Sequence, residues 1–562
     1  MTEVVPSTKP SDTWLPSAAS RRWLNLDWIL LGLVLAFCAA WIALRLHPRN
    51  TPMEDALMLL RYAQNFAQGH GVRWNLTDPP VDGATDFLFM IATGTLAKVA
   101  HIGVIPACRI LILAAHFVSV GLVFFAGRTV LGANRWLSAS AALYLAVGPA
   151  TRHAETGFGA PFFAAMLLAC WCAALWYALR STSWPRALVM ALFGLLAGLT
   201  RPEGVIISGI LLLGLAVLIG YRRAIPAAVS MVLVFALLGG PYFLWRWHYF
   251  GHPLPNPFYV KGGGHLYLSS VRQAAINVSI MLLPALPLIP LGWLQRTTTR
   301  LTTAIVTILV CFTCMWVLLN NWNNHYMRFQ YAIIPIVLMT VPALATGFVT
   351  QMGMAPWPTL APKTRLALKA SCILALCGAL GYFDRLYFFG DAGFGMRDFG
   401  RRIAPLAAHG DSMALTEAGT LPFYSEWRII DGLGLNDAYI AHHGGYVTED
   451  YLAQQNPDVI MIHADGGFGD KFNALLNGDP PVPHTELTNF EVMAHFAHTH
   501  GYTLVAAMGS SPCNLHLFLV RPNWPDAPEF IHDLRDFPFY FLDNGSLAHD
   551  FRNELPPVGC KS

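Results

Sequence analysis

The sequence predicts a polytopic α-helical membrane protein of about eleven transmembrane helices plus juxtamembrane helices, followed by a C-terminal α/β domain. Three observations carry this reading. Of 562 residues, 55% are hydrophobic and only 12% are charged, about half the charged share of a soluble chain. Mean hydropathy is +0.45. Apolar runs long enough to cross a bilayer recur between residues 27 and 383. The formal charge of +3 is too small to argue for nucleic acid as a partner.

Residues 1–26 are polar and carry Arg21 and Arg22 just ahead of the first apolar run. That pattern predicts an uncleaved first helix with a cytoplasmic N-terminal tail. Apolar runs lie near 27–46, 84–100, 105–126, 137–150, 158–180, 187–200, 203–220, 226–246, 277–294, 302–320, 329–349 and 366–383. Basic residues cluster at 21–22, 128–135, 180–186, 222–223, 296–300 and 363–369. If every run crossed, these clusters would fall on both sides of the membrane. Reading 84–100 as a juxtamembrane or re-entrant segment leaves eleven spans and puts all six clusters in the cytoplasm. The membrane domain is then 27–383, and residues 384–562 lie on the outer side.

The same arrangement gathers the polar, motif-like segments on the outer side: 47–83, 151–157, 201–204, 247–276 and 321–328. From about residue 384 charged residues and turn signals return, with strand-like runs such as "DVIMIHA" and "YTLVAAM" and helical stretches such as "EVMAHFAHTHG". This reads as one α/β domain of ordinary size. Eight of the ten cysteines lie in or beside apolar runs and read as buried hydrophobes. Cys513 and Cys560 lie outside the membrane region and form the candidate disulfide.

The stretch "TPMEDALMLLRYAQNFAQGHGVRWN" (51–75) follows the first span. Ala56, Leu59, Leu60, Ala63, Phe66 and Ala67 share one helical face, as in an amphipathic helix on the membrane surface. Thr51, Pro52 and Glu54 match a capping box with proline at the first helical position. Glu54 therefore has a structural reading as a helix-start residue. Asp55 has only the favour of the helix dipole. The functional reading of both is a general base or metal ligand at an outward-facing site. "TRPEG" puts Arg201 and Glu203 between two spans, where charge is expensive; the structural alternative is an ion pair closing the hairpin. "RHAETG" puts Glu155 in a similar place. The Pro/Gly-rich "YFGHPLPNPFYVKGGGH" supplies Asn256, Tyr259 and Lys261, and "NNWNNHYMRFQ" supplies His325, Tyr326 and Arg328. Lys261 has a structural alternative as a snorkelling interfacial lysine. Carboxylates and several cations on one membrane face suit cleavage of a sugar–phosphate bond. A base takes the acceptor proton and cations receive the departing phosphate.

These motifs resemble those of the bacterial GT-C glycosyltransferases, polytopic enzymes that use polyprenyl-phosphate sugars. The matching residues are Glu54-Asp55, Arg61-Tyr62-Ala63-Gln64-Asn65, Gly69-His70-Gly71 and Gly83-Ala84-Thr85-Asp86-Phe87-Leu88. "RPEG", "PLPNPFYVK" and "EAGTLPFYSEWRIIDGLGLND" (417–437) are similar to further signatures. Within the superfamily the chain looks closest to terminal arabinofuranosyltransferases of mycobacterial cell walls and pilin-arabinosylating relatives. The resemblance implies an inverting transfer from decaprenyl-phosphate arabinofuranose, or a close relative, to a hydroxyl of an acceptor polysaccharide or glycoprotein at the periplasmic face of the bacterial inner membrane. It implies Glu54 and Asp55 as catalytic candidates. Lys261, Arg328, Arg201 and His325 become candidate donor-phosphate contacts. Tyr62, His70, Asp86, Glu155, Glu203, Asn256, Tyr259, Tyr326, Glu417, Tyr424 and Asp431 become candidate substrate contacts. Two positions depart from the pattern: Glu54 stands where aspartate is usual and Asp86 where asparagine is usual. The base stays open between Glu54 and Asp55. Some relatives use a divalent metal; no unambiguous metal cluster stands out in this sequence, and none is assigned.

The alternatives are the same chemistry with mannose, galactose or another sugar, a transporter for lipid-linked glycans, or a non-catalytic assembly protein. A transporter places charges near the midplane and often repeats its halves, and neither feature is seen in the sequence. The topology has a direct test. Reporters fused at residue 101 should be extracytoplasmic and at residue 130 cytoplasmic; a cytoplasmic residue 101 would overturn the eleven-span count.

Overall fold

The computed structural model describes residues 25–180, 182–262, 266–319, 324–354, 362–385, 395–465, 488–511 and 514–535. The N-terminal tail and both Cys513 and Cys560 lie outside the described residues, apart from residues 25 and 26 of the tail.

The apolar runs are helical, as a bilayer requires of any backbone that must satisfy its own hydrogen bonds. In chain order the membrane half comprises α1 (Asn25–Arg45), α2 (Glu54–Gln68), α3 (Phe87–Ala100), α4 (Val104–Thr129), α5 (Arg135–Ala146), α6 (Ala150–Thr156), α7 (Ala160–Arg180), α8 (Trp184–Thr200), α9 (Glu203–Ile219), α10 (Tyr221–Val234), α11 (Gly240–Phe250), α12 (Asn256–Gly262), α13 (Leu268–Met281), α14 (Thr299–Met315), α15 (Ile334–Met354) and α16 (Pro362–Arg385). Among the described residues six helices are long and apolar enough to cross a membrane: Asn25–Arg45, Val104–Thr129, Ala160–Arg180, Tyr221–Phe250, Thr299–Leu318 and His325–Thr346. A seventh is a broken pair, Leu268–Met281 and Leu286–Leu294, bent by 88°. Pro284, Pro287 and Pro290 cluster at that break, where they withdraw ladder donors. Helices α3, α8 and α9 are apolar but shorter. Helix α3, with 14 residues, spans only about 21 Å. These lengths make the chain a polytopic helical membrane protein, but they do not by themselves fix eleven spans.

Helix α2 departs from the sequence expectation at its start. Met53 occupies the N-cap and no side chain caps the helix, so Thr51 and Pro52 precede it and the predicted capping box does not form. Tertiary contacts supply the reason. The Met53 amide donates to Thr156 O at 3.1 Å, and the Glu54 carboxylate is turned to Thr420. The helix ends at Gly69 in the left-handed region (φ 93°), with its amide reaching back to Asn65 and Phe66. Nor is α2 a surface helix. Ala56, Leu57, Leu60, Arg61, Tyr62, Ala63 and Asn65 are all buried. On one side it crosses α3 so closely that a Cβ on Gly94 would lie 2.7 Å from Ala63 O.

On its other side α2 meets the C-terminal α/β unit. This begins with α17 (Met396–Ile403) and contains β1 (Ser412–Leu415), α18 (Thr420–Ser425), β2 (Arg428–Asp431), β3 (Val459–Asp465), β4 (Thr503–Ser511) and β5 (Asn514–Val520). The strands form one sheet in the order β2-β1-β3-β5-β4. β1 is parallel to β2 and β3, while β5 is antiparallel to β3 and β4. One buried apolar cluster runs from Leu57, Leu60 and Phe89 to Phe399, Met413, Leu415 and Trp427, so the two halves share a core.

A buried cation fastens that core. The Arg61 guanidinium donates to Trp74 O at 2.9 Å and Asn75 Oδ1 at 3.1 Å on its own side. It donates to Pro422 O at 2.9 Å and Trp427 O at 2.7 Å on the other, and lies over the Trp74 ring at 4.4 Å. Arg61→Met keeps the bulk and strands these acceptors. It should destabilise the protein by roughly 3 kcal/mol or more, read as a lower Tm in detergent; an unchanged Tm would remove Arg61 from this role.

Candidate active site

The two adjacent carboxylates of α2 point to different halves of the molecule. Consecutive residues on a helix diverge by about 100°, and here that angle separates two environments. Asp55 faces the membrane half, where Arg328 Nη2 lies 2.6 Å from its Oδ2. Its side chain is 24% exposed, that of Arg328 11%. Burial works to raise the Asp55 pKa, but the charges of Arg328 and Lys261 outweigh it and hold the carboxyl below its ordinary value. Asp55 is therefore ionised at neutral pH.

Lys261 sits in the last turn of α12. Burial lowers its pKa, with the Asp55 charge opposing and the Arg328 charge adding to the fall. It donates no hydrogen bond within the described residues. Arg328 begins the span His325–Thr346, next to a turn in which Tyr326 and Met327 both adopt left-handed backbone (φ 54° and 58°). Such conformations cost energy in non-glycine residues. This turn brings both His325 and Arg328 against Phe158: the guanidinium lies 4.1 Å above the ring, and the imidazole is parallel to it at 6.4 Å. A guanidinium, an ammonium and an imidazole thus all act on the charge of one carboxylate, Asp55.

Glu54 faces the C-terminal unit. Its Oε2 accepts the Thr420 amide at 2.8 Å. Gly419 lies flat against it: a Cβ there would fall 2.2 Å from Glu54 Oε2 and 2.3 Å from Glu54 O. Burial, with the charge of Glu417 adding, pushes the Glu54 carboxyl up to about 7, and the Thr420 hydrogen bonds oppose the rise. Glu417 is itself held by two imidazoles, His463 Nδ1 at 2.8 Å and His516 Nε2 at 2.6 Å. Burial raises its pKa, but those two partners outweigh burial and depress it.

The other sequence candidates fall into distinct places. Arg201 is shared between Asp86 Oδ1 at 2.9 Å and Glu203 Oε1 at 2.6 Å, and it stacks on Phe329 at 5.3 Å, the ring that Arg328 also covers. It lies on the same ring as Arg328, with two carboxylates set against its one charge. Glu155 is buried between Arg152 at 2.7 Å and His47 at 2.8 Å, and the Tyr326 hydroxyl accepts from Arg152. Tyr62 is fully buried, and its hydroxyl bonds Asn436 Oδ1 at 3.2 Å and accepts the Gly83 amide. Asp431 ends β2 and ties its own turn by accepting from Leu433 N, Asn436 N and Asn436 Nδ2. Burial pushes its carboxyl up to about 6 against those bonds. Asn256 is buried, and its amide donates to Asp82 O. Tyr259 packs on His442 at 4.3 Å. Tyr424 carries Arg401 over its ring at 4.9 Å. His70 is exposed beyond the end of α2. The geometry thus unites Asp55, Lys261, His325 and Arg328, with Asp86, Arg201 and Glu203 behind them; Glu54 and Glu417 stand on the opposite face of α2.

Several residues of this region had no signal in the sequence reading. Arg246 pairs with Asp82 at 2.7 Å, bracing the segment that leads from α2 to α3. His463 and His516 are hydrophobic-strand residues by pattern, and His516 is 99 residues from Glu417. Gly419 is legible only once its neighbour is known.

The comparisons agree with this architecture. Residues 389–521 match a family model described as a domain of unknown function, DUF8728. No curated protein matches the chain. ArnT from Cupriavidus metallidurans bound to undecaprenyl phosphate superposes with a TM-score of 0.55 at 15% identity, covering 88% of this chain and 98% of that one. The archaeal oligosaccharyltransferase AglB from Archaeoglobus fulgidus, in complex with an inhibitory peptide and a dolichol-phosphate, superposes at 0.52 with 9% identity, covering 89% and 75%. The mycobacterial arabinofuranosyltransferase AftD gives 0.47 at 12% identity over 90% and 42%, too low a score to argue from.

The seat of Glu54 is testable by mutation. Gly419→Ala should lower Tm, since overpacking costs about 1–3 kcal/mol, whereas Gly121→Ala on α4, with nothing within 4 Å of the added carbon, should not. Equal effects would separate Gly419 from the packing of Glu54.

Proposed function

From the GT-C fold that the chain shares with its structural neighbours, we propose that it transfers a sugar from a polyprenyl-phosphate donor to an acceptor hydroxyl with inversion at the anomeric carbon. The single observation that carries this reading is the Asp55 carboxylate paired with Arg328 and within reach of the Lys261 charge. The bound lipid phosphates of the two neighbours support it. The reaction balances as one displacement. The acceptor hydroxyl gives its proton to Asp55, its oxygen attacks the anomeric carbon, and the bond from that carbon to the phosphate oxygen breaks. The electron pair leaves on the lipid phosphate, where Lys261 and Arg328 stabilise the charge. Arg328 passes from Asp55 to the phosphate as donor binds, which frees Asp55 to act.

Geometry decides between the two carboxylates. Glu54 has the pKa better matched to a general base, but its carboxylate seats the turn at Gly419 and Thr420. Asp55 lies beside the cations that suit the leaving group. We assign Asp55 as the base and Glu54 as the group that joins α2 to the C-terminal unit. The sugar in this reading is D-arabinofuranose, supported by the motifs from Glu54-Asp55 through "RPEG" and "PLPNPFYVK". The reaction side is periplasmic, supported by the positions of the basic clusters. The C-terminal unit, which meets α2 through Glu54 and Arg61, serves the acceptor glycan or glycoprotein in this reading.

Two measurements test this. With synthetic polyprenyl-phosphoryl arabinose and an acceptor oligosaccharide, Asp55→Asn should lose about a hundredfold or more in kcat, and Glu54→Gln should keep most of it. Activity only with a polyprenyl hexose would retain the chemistry and reject arabinose. The acid limb of kcat/KM gives a second arm. A depressed Asp55 stays ionised, so the rate should hold as pH falls from 7 to 5; a fall centred near 7 would make Glu54 the base.

A further inference from the structure

The C-terminal unit holds a cluster that the sugar-transfer reading does not use. The sheet order places β1 between β2 and β3. The chain leaves β1 toward β2 on one side and returns to β3 on the other, so the crevice beyond the carboxyl ends of β1 and β3 is a topological switch point. Such crevices are where open α/β sheets bind ligands. Glu417 stands in the turn just past β1. His463 on β3 and His516 on β5 are direct register partners. Their rings are parallel within 12° at 4.4 Å, and each presents one nitrogen to a different oxygen of the same carboxylate. All three ligand atoms lie within 4.8 Å of one another. The His463 amide also donates to Thr416 Oγ1 at 2.8 Å, which fixes β3 to the turn that bears Glu417.

We propose that Glu417, His463 and His516 form a binding site for one divalent transition-metal ion of the zinc class. Two imidazoles and one carboxylate are a borderline ligand set that zinc accepts, often with a fourth position left open. Calcium and magnesium favour oxygen-only sets. Around zinc the ligand atoms stand roughly 3.3 Å apart, so each nitrogen–oxygen separation here widens by well under 1 Å when the ion enters. The ligands come from strands or the end of one, so little chain order is lost on binding. A second cluster, His409, Asp411 and Asp526, is more exposed, and Asp411 already accepts from Trp524 Nε1; it is the poorer candidate. The consequence for the molecule is local: an ion at Glu417 orders the turn 416–420, in which Gly419 and Thr420 seat Glu54. This inference is independent of the donor sugar and of catalysis itself.

The test uses full-length protein in detergent, stripped with chelator. Zinc titration should give one ion per chain with a Kd in the micromolar range or below, and should raise Tm. Cobalt should give visible d–d bands. The His463→Gln/His516→Gln double variant, and separately Glu417→Gln, should lose the bands and weaken zinc by about a hundredfold or more, while His409→Ala should retain both. If the double variant does not fold, the wild-type zinc response and Glu417→Gln still decide. No zinc uptake and no Tm response would leave a hydrogen-bonded cluster that shares protons only. Binding lost in His409→Ala, or kept in Glu417→Gln, would equally overturn the assignment.

Discussion

The burial of one guanidinium governs the rest of the architecture. Arg61 reaches carbonyls of both halves of the chain at once. A buried cation is tolerated only when its donors are used, and its donors can all be used only when the halves are together. The shared apolar core supplies affinity without direction. Arg61 supplies direction, since its planar fork accepts few arrangements of oxygens. The C-terminal unit is in this sense a wall packed on α2 rather than an appended module.

That wall explains the different characters of two neighbouring carboxylates. Asp55 keeps its charge because cations from α12 and from the start of the His325–Thr346 span surround it. Glu54 resists ionisation because burial and a second carboxylate confront it. The cation side is itself supported: Arg201, held by the two carboxylates of Asp86 and Glu203, forms a layer beside Arg328, and both guanidinium groups pack on Phe329. A layer of this kind holds Arg328 in place without claiming the face that meets Asp55, and pairing of this sort is what makes charge affordable at the edge of a membrane.

Much of the plan was legible in the sequence. The helices coincide with the apolar runs because composition alone decides which segments leave water. The strands of the C-terminal unit were legible in short apolar runs such as that of β3. The motifs bearing Asp55, Lys261, His325 and Arg328 were legible as polar segments between apolar runs; which of their side chains come together was not. What stayed hidden was long-range. Thr51, Pro52 and Glu54 spell a capping box, yet the Thr420 amide takes the Glu54 carboxylate that the box would use, and the Met53 amide goes to Thr156 O. The face of Ala56, Leu60 and Ala63 signalled an amphipathic helix, but the opposite face also carries Arg61 and Tyr62, whose partners lie hundreds of residues away. Tyr62 and Asp431 were singled out as substrate contacts from motif resemblance; in the structure their polar atoms are bonded to Asn436 and hold a turn. His463 and His516 could not be paired with Glu417 before strand register was known.

One feature of α2 bears on how such a chain can change over time. Glu54 and Arg61 are seven residues apart, nearly two full turns, so both look toward the C-terminal unit, while Asp55 looks elsewhere. The rotational phase of the helix is locked by Arg61. Deletion of one residue between Asp55 and Arg61 would turn the carboxylates by about 100° with the anchor left in place, moving Glu54 into the seat of Asp55 and Asp55 out of it. Length in this short segment is therefore constrained alongside identity: the count of residues from Glu54 to Arg61 decides which acid meets Arg328.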